Sequence, residues 1–323
     1  MTSGHEALVA HAPEAARALD AVEAAAWREA STIGLPALAW RVATACSAVH
    51  GLPPLGPPAA DRRVDGRPPT GSHPGTPGQD AATVEAEGTA VAFAEQFATD
   101  VSAISAHLRA ELFEQLGSRA ASFTAVVFVM DVLPRTRAGL DALCPAGPAL
   151  PAAGPAAWAD VASPADVAGV WDALDTFTRA VPRLDALDPV TTELVRLRGA
   201  RQHACRLCSS LRSRPALRAG ADDATFAAID AYADSDLSAL RKAVLSFTDA
   251  FIWTPGRIDA AVVAGVAAST TEAQRVELVL DITRNALNKV AVALGADAAH
   301  VEDGVEIYDI DERGDLVYGV DLG

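Results

Sequence analysis

Asp188-Pro-Val-Thr-Thr-Glu193-Leu-Val-Arg196-Leu-Arg198-Gly-Ala-Arg201-Gln-His203-Ala-Cys205-Arg206-Leu-Cys208 reads as one helix followed by the start of another. Asp188 is a capping residue and Pro189 fits the first helical position, so a helix is expected to begin there and to carry Glu193, Leu194 and Leu197. Twelve residues after Glu193 comes a Cys-x-x-Cys pair. Two thiols at that spacing at the start of a helix face the same way and can close a small disulfide ring. The free N–H groups and dipole of a helix N-terminus favour thiolate over thiol. A carboxylate nearby can carry the proton. This is the minimum equipment for dithiol redox chemistry, and little else in the chain looks chemical. The bland alternative is a buried, inert pair, because free cysteine is among the most buried residue types.

Helical signals extend on both sides. Ser163-Pro164 is a second cap-plus-proline start, with Val167, Val170, Trp171, Leu174 and Thr178 on one face. Leu237, Leu240, Val244, Phe247 and Phe251 follow three-four spacing. Thr271-x-x-Gln274 matches a capping box ahead of Val276–Leu294. The tail changes period. Val305-Glu-Ile-Tyr-Asp-Ile alternates, Asp311-Glu-Arg-Gly314 turns and Leu316-Val-Tyr-Gly-Val returns, so a β-hairpin lying on a neighbouring surface is expected. Half the residues are hydrophobic, Ala dominates and aromatics make up 5%, which suits helices packed through small side chains. Residues 51–80 hold fourteen Gly or Pro and read as a loop or linker; Cys144 to Pro155 is a second break.

An internal repeat is also visible. Shifting residues 91–140 by 154 positions lays Phe93 on Phe247, Phe97 on Phe251, Ile104 on Ile258, Phe128 on Ile282 and Leu140 on Leu294 without a gap. Two similar helical units in one chain are the expectation, the first having lost polar residues: Pro134 stands opposite Asn288 and Asp131 opposite Asn285.

The formal net charge of −16 argues against nucleic acid and anionic membranes as partners. No secretory signal is visible in the charged first thirty residues, and no uncharged stretch reaches transmembrane length, so a cytoplasmic protein is expected. Four cysteines do not make a disulfide scaffold. Arg196, Arg198, Arg201, Arg206, Arg212 and Arg214 surround the Cys pair, as thiolate stabilisers, as a partner-docking surface or as solvated helix faces.

Taken together, Glu193…Cys205-x-x-Cys208, Phe247-Thr-Asp-Ala-Phe251, Glu277-Leu-Val-Leu-Asp-Ile-Thr-Arg-Asn285-Ala-Leu-Asn288-Lys and Ala293-Leu-Gly295 resemble the carboxymuconolactone decarboxylase family, and within it the alkylhydroperoxidase AhpD-like branch. The resemblance covers roughly residues 163–320; for residues 1–143 it rests on the repeat. It implies an all-α, AhpD-like helical bundle of two pseudo-repeated units with a short C-terminal hairpin. Residues 1–143 would form a degenerate unit carrying the 51–80 insertion, 144–162 a linker, and 163–323 the unit with the dithiol site. The resemblance implies a small hydroperoxide as substrate, a lipoyl- or thioredoxin-like dithiol as reductant, no cofactor, and a homo-oligomer, a trimer or dimer of two-unit chains. It implies Cys208 as peroxidatic thiol, Cys205 as resolving thiol and Glu193 as relay carboxylate. The chain departs from the pattern where Arg212 replaces the His four residues after the second Cys, and where Leu207 precedes it. Arg212 could hold a thiolate but cannot shuttle protons near neutral pH; His203 is the candidate substitute. Cys46 with His50 matches the Cys-x-x-x-His half of the motif, but Ala43 stands where the first thiol should be, so the first unit reads as structural. Cys144 has no visible partner.

Three other readings stand beside this one. His203, Cys205 and Cys208 would give three zinc ligands but lack a fourth, so no metal is expected. A lactone-acid decarboxylase or isomerase would use the arginines to bind a carboxylate, although those family members generally lack the Cys pair. A non-catalytic assembly protein would simply bury the thiols.

Overall fold

The computed structural model describes residues 4–57, 81–145 and 169–322. The Ser163-Pro164 start, most of the 51–80 insertion and most of the 144–162 linker lie outside these described residues. The helices run in chain order as α1 Gly4–His11, α2 Pro13–Thr32, α3 Pro36–His50, α4 Ala81–Thr99, α5 Ala106–Leu116, α6 Ala120–Leu143, α7 Val170–Ala180, α8 Pro189–Gln202, α9 Arg206–Ser209, α10 Arg214–Arg218, α11 Asp223–Ala227, α12 Ala239–Trp253, α13 Ala260–Ser269, α14 Glu272–Asn285 and α15 Asn288–Leu294. Three short strands, β1 Leu211–Ser213, β2 Glu306–Ile310 and β3 Leu316–Tyr318, form one sheet in that order. The protein is therefore all-α with a small C-terminal sheet.

Local chemistry sets the helix ends. Asp188 accepts from the N–H groups of Val190 and Thr191, and Pro189 follows it, as the sequence leads one to expect. Thr271 and Gln274 close the capping box at the start of α14. On α7 the buried face is Val170, Ala173, Leu174 and Phe177. Trp171 is 42% exposed, which corrects its placement on that face: position 171 lies about 100° round the helix from Val170.

The repeat is visible in the element ends. Helix α4 stops at Thr99 and α12 at Trp253; the 3-10 turns Val101–Ala103 and Pro255–Arg257 follow; α5 begins at Ala106 and α13 at Ala260, each pair 154 apart. The pairs Phe93–Phe97 and Phe247–Phe251 both lie tilted against each other at 6.4 Å between ring centroids. Helix α6 corresponds to α14 and α15 together. The halves share one core: α6 packs on α14 and α15, and α2 on α7. Contacts between α2 and its neighbours run through Ala15, Ala18, Ala25 and Ala26, whose small side chains permit close approach. By length and composition Ala106–Leu143 could cross a membrane, but 72% of its apolar window is buried in the fold, as in a core helix.

Polar groups cross the same core. Asp131 of α6 binds Arg135 (2.7 Å) and Lys289 of α15 (2.6 Å), all buried; Arg135 also reaches His50 and the Ala98 carbonyl (2.8 Å). Asp131 is thus an anchor, which corrects the expectation that the first unit lost its polarity here. Cys144 closes the C-terminus of α6 with its thiol beside Arg275, correcting its reading as a loop residue without a partner.

The C-terminal hairpin forms as expected, and β1 is the surface on which it lies. Strand β2 pairs in parallel with β1, Ser213 opposite Tyr308, and antiparallel with β3, Tyr308 opposite Tyr318. It is therefore docked on the segment just after the cysteines. Strand β1 was illegible because three residues carry no usable period.

Candidate dithiol site

Helix α8 ends in a left-handed turn. Cys205 N–H donates to the Ala200 carbonyl (3.0 Å) and Ala204 N–H to that of Arg201 (3.2 Å), with Ala204 at φ +49°. The turn redirects the chain into the four-residue α9, whose first N–H groups are all taken. Arg206 N–H donates to Asp297 Oδ2 (2.9 Å), Leu207 N–H to the Asp297 carbonyl (3.0 Å) and Cys208 N–H to Cys205 Sγ (3.2 Å). Cys205 is thus the helix cap, and both thiols are free and buried, 1% and 6% exposed.

The two thiols differ in acidity. The Cys208 thiol and N–H both donate to Cys205 and, with Arg196, hold its pKa below the ordinary thiol value against burial and Asp297. Donation to Cys205 and burial push Cys208 up. Of the two, Cys205 is the thiol that ionises more readily. Cys208 lines a cavity of about 260 Å³, together with Leu207, Leu211, Arg196, Arg284 and Tyr308.

Glu193 and Arg196, three residues apart on α8, form a buried bidentate pair at 2.6 and 2.7 Å. Arg196 donates onward to the carbonyls of Cys208 and Leu211, both at 2.8 Å. Glu193 accepts also from Tyr308 Oη (2.9 Å) and Ser213 N–H (3.1 Å). Both Glu193 oxygens are engaged, so this carboxylate reaches the dithiol through Arg196. The hairpin earns its place here, since Tyr308 on β2 completes the network.

The other candidates lie elsewhere. Arg212 donates to the carbonyls of Ser209 and Leu211 and lies over the Phe226 ring at 5.1 Å, because alternation on β1 turns it away from its inward neighbours; Arg196 takes the place expected of it. His203 lines a small recess with Arg135 and Lys289, where burial and those cations lower its pKa to about 3. It is neutral at pH 7 and stands with the Asp131 cluster. Among the described residues no three His, Cys, Asp or Glu side chains gather to hold a metal ion. Cys46 donates weakly to the Ala94 carbonyl in the core. Arg196 is one of the six arginines read as candidate thiolate stabilisers; the roles of Asp297 and Tyr308 have no signal in the sequence. The spacing of Glu193 and Arg196 was the one available signal.

No family model and no solved structure matches the chain. Two curated relatives do: uncharacterized protein MT2376 of Mycobacterium tuberculosis strain CDC 1551 / Oshkosh and uncharacterized protein Rv2313c of strain ATCC 25618 / H37Rv. Each is 44% identical over 236 residues, 72% of this chain and 81% of the relative. Neither name assigns an activity.

Proposed function

The chain belongs to one family with these two mycobacterial proteins, and we propose that it is a dithiol oxidoreductase of the alkylhydroperoxidase type, working through Cys205 and Cys208. The observation that carries the reading is the capping contact: Cys205 Sγ accepts the Cys208 N–H while Cys208 faces the cavity. The carboxymuconolactone decarboxylase-like spacing of Glu193 and the cysteines agrees with it.

In this reading Cys205, as thiolate, receives the Cys208 proton when a hydroperoxide enters. Cys208 sulfur attacks the distal peroxide oxygen, the O–O bond breaks, and the alkoxide leaves as alcohol with the proton supplied through Cys205. Cys205 sulfur then attacks the Cys208 sulfenic acid; the S–O bond breaks and hydroxide leaves, taking a proton from solvent to become water. Two electrons pass from two thiols to the peroxide, and a lipoyl- or thioredoxin-like dithiol restores the pair. Arg196 steadies the negative charge throughout, and Glu193 and Tyr308 keep Arg196 in place. The exposed side chains Leu316, Val317 and Tyr318 on β3 suit a homo-oligomer.

The test is peroxide-dependent turnover with a dithiol reductant. Cys208→Ser should remove it, and Cys205→Ser, lacking both the base and the resolving sulfur, should form more slowly a sulfenate that persists and that dimedone traps. Equal turnover of Cys208→Ser and wild type would sink the reading. The burial of both thiols favours a second one, a non-catalytic assembly protein; thiols that resist alkylation in the folded protein, with or without peroxide, would select it.

A further inference from the structure

Behind the wall formed by Arg196, Arg284, Asn285 and Tyr308 lies a second, larger cavity of about 420 Å³. Two carboxyl groups of α14, Glu277 and Asp281, stand in it one helical turn apart, both buried. Glu277 Oε2 accepts from the N–H groups of Ala186 (2.6 Å) and Leu187 (3.2 Å). Asp281 is 4% exposed; the Thr192 hydroxyl hydrogen-bonds its carboxyl, but Oδ2 is buried with no partner. A buried oxygen left this way costs about 1–3 kcal/mol, so it calls for an explanation.

Charge and shape narrow the ligand. Carboxyl groups around the cavity outnumber guanidiniums seven to three. Arg196 is paired with Glu193, Arg183 with Glu14 and Asp309 with Arg214, which leaves five carboxyl groups around Arg284, whose guanidinium acts on Asp281. With Glu277 and Asp281 ionised that excess is negative and disfavours anions. No third ligand stands near enough to make a metal site among the described residues. Pro182, Leu184, Leu187 and Pro215 supply apolar wall, and the volume suits a small organic molecule.

We propose that this cavity binds an organic cation, a primary amine with an apolar body, whose ammonium donates to Asp281 Oδ2 and to the Glu277 carboxyl. Without the cation, burial pushes Glu277 up to about 7 and Asp281 well above the usual carboxylate range. An arriving ammonium would favour the ionised forms, so binding should expel protons. The site does not depend on the redox reading of the cysteines.

The experiment is calorimetric titration of the full chain at pH 6.5 with hexylamine, phenethylamine and 1,4-diaminobutane, hexanoate being the anionic contrast. Two buffers of different ionisation heat report proton release. Saturable binding of at least one amine with protons released is expected, weakened about tenfold or more by Asp281→Asn. Leu184→Trp, which fills the cavity from its apolar wall, should block the same titration and decides the matter if Asp281→Asn does not fold. Absence of amine binding, preference for hexanoate, or a folded Asp281→Asn that binds as wild type would overturn the proposal.

Discussion

Ala204 holds the conformation that aims both thiols, and it does so without being glycine. A left-handed alanine costs roughly 1–2 kcal/mol, partly offset by the greater freedom that glycine would have in the unfolded chain. Ala204→Gly should therefore be stabilising by up to about 1 kcal/mol, and Ala204→Val destabilising by about 1–2 kcal/mol; urea unfolding midpoints will show either ordering. Glu193 presents the opposite case. It neutralises a guanidinium buried with it, so Glu193→Gln strands the Arg196 charge and should cost about 3–5 kcal/mol. Glu193→Leu combined with Arg196→Met should recover much of that loss. A double variant no better than the single one would mean that the network's other bonds, from Tyr308 and Ser213, matter more than the charge.

At the scale of elements, α14 carries its acids in the wrong environment for their charge, since Val276 to Thr283 is buried throughout. A carboxyl whose folded pKa is raised contributes stability that is complete below its unfolded value and lost as pH rises through the folded one. For Glu277 the window runs from 4.5 to about 7. Relative to Glu277→Gln, wild type should lose about 3 kcal/mol across it, read as the difference between two stability–pH curves. Parallel curves would show that Glu277 ionises normally. The hairpin depends on one close approach. Gly314 sits at φ +88° and a Cβ there would run into the Arg179 carbonyl oxygen. Gly314→Ala should lift β2 and β3 from α7, loosen Tyr308 from Glu193 and speed alkylation of Cys208, measured by mass-tag kinetics.

For the whole molecule, the shared core decides the behaviour of the repeat. Residues of both halves fill one cluster, and Asp131 is bonded to a lysine 158 positions away. Two independent units would unfold in two steps; this arrangement should unfold in one, with calorimetric and van't Hoff enthalpies equal. Asp131→Ala leaves Arg135 and Lys289 buried without their carboxylate and should cost about 3–5 kcal/mol across the entire transition. Loss confined to a first-half transition would show that the halves are separable.

The sequence by itself determined the helices and their caps, because the capping residues at Asp188 and Thr271 act on the next three N–H groups and proline constrains only its neighbours. It determined the repeat as well, because a core face keeps its apolar spacing even when identity decays. It singled out Glu193 and the two cysteines, which the fold links through Arg196. Partners from distant segments were beyond its reach. Arg196 rather than Arg212 serves the dithiol because strand alternation on β1 turns Arg212 to Phe226, and His203 belongs to the Asp131 cluster because the α8 terminus faces α6 and α15. Asp297 and Tyr308 join the site from roughly a hundred residues away. Only tertiary structure decided these, since hydrogen bonds and burial act through space while motif spacing reports distance along the chain.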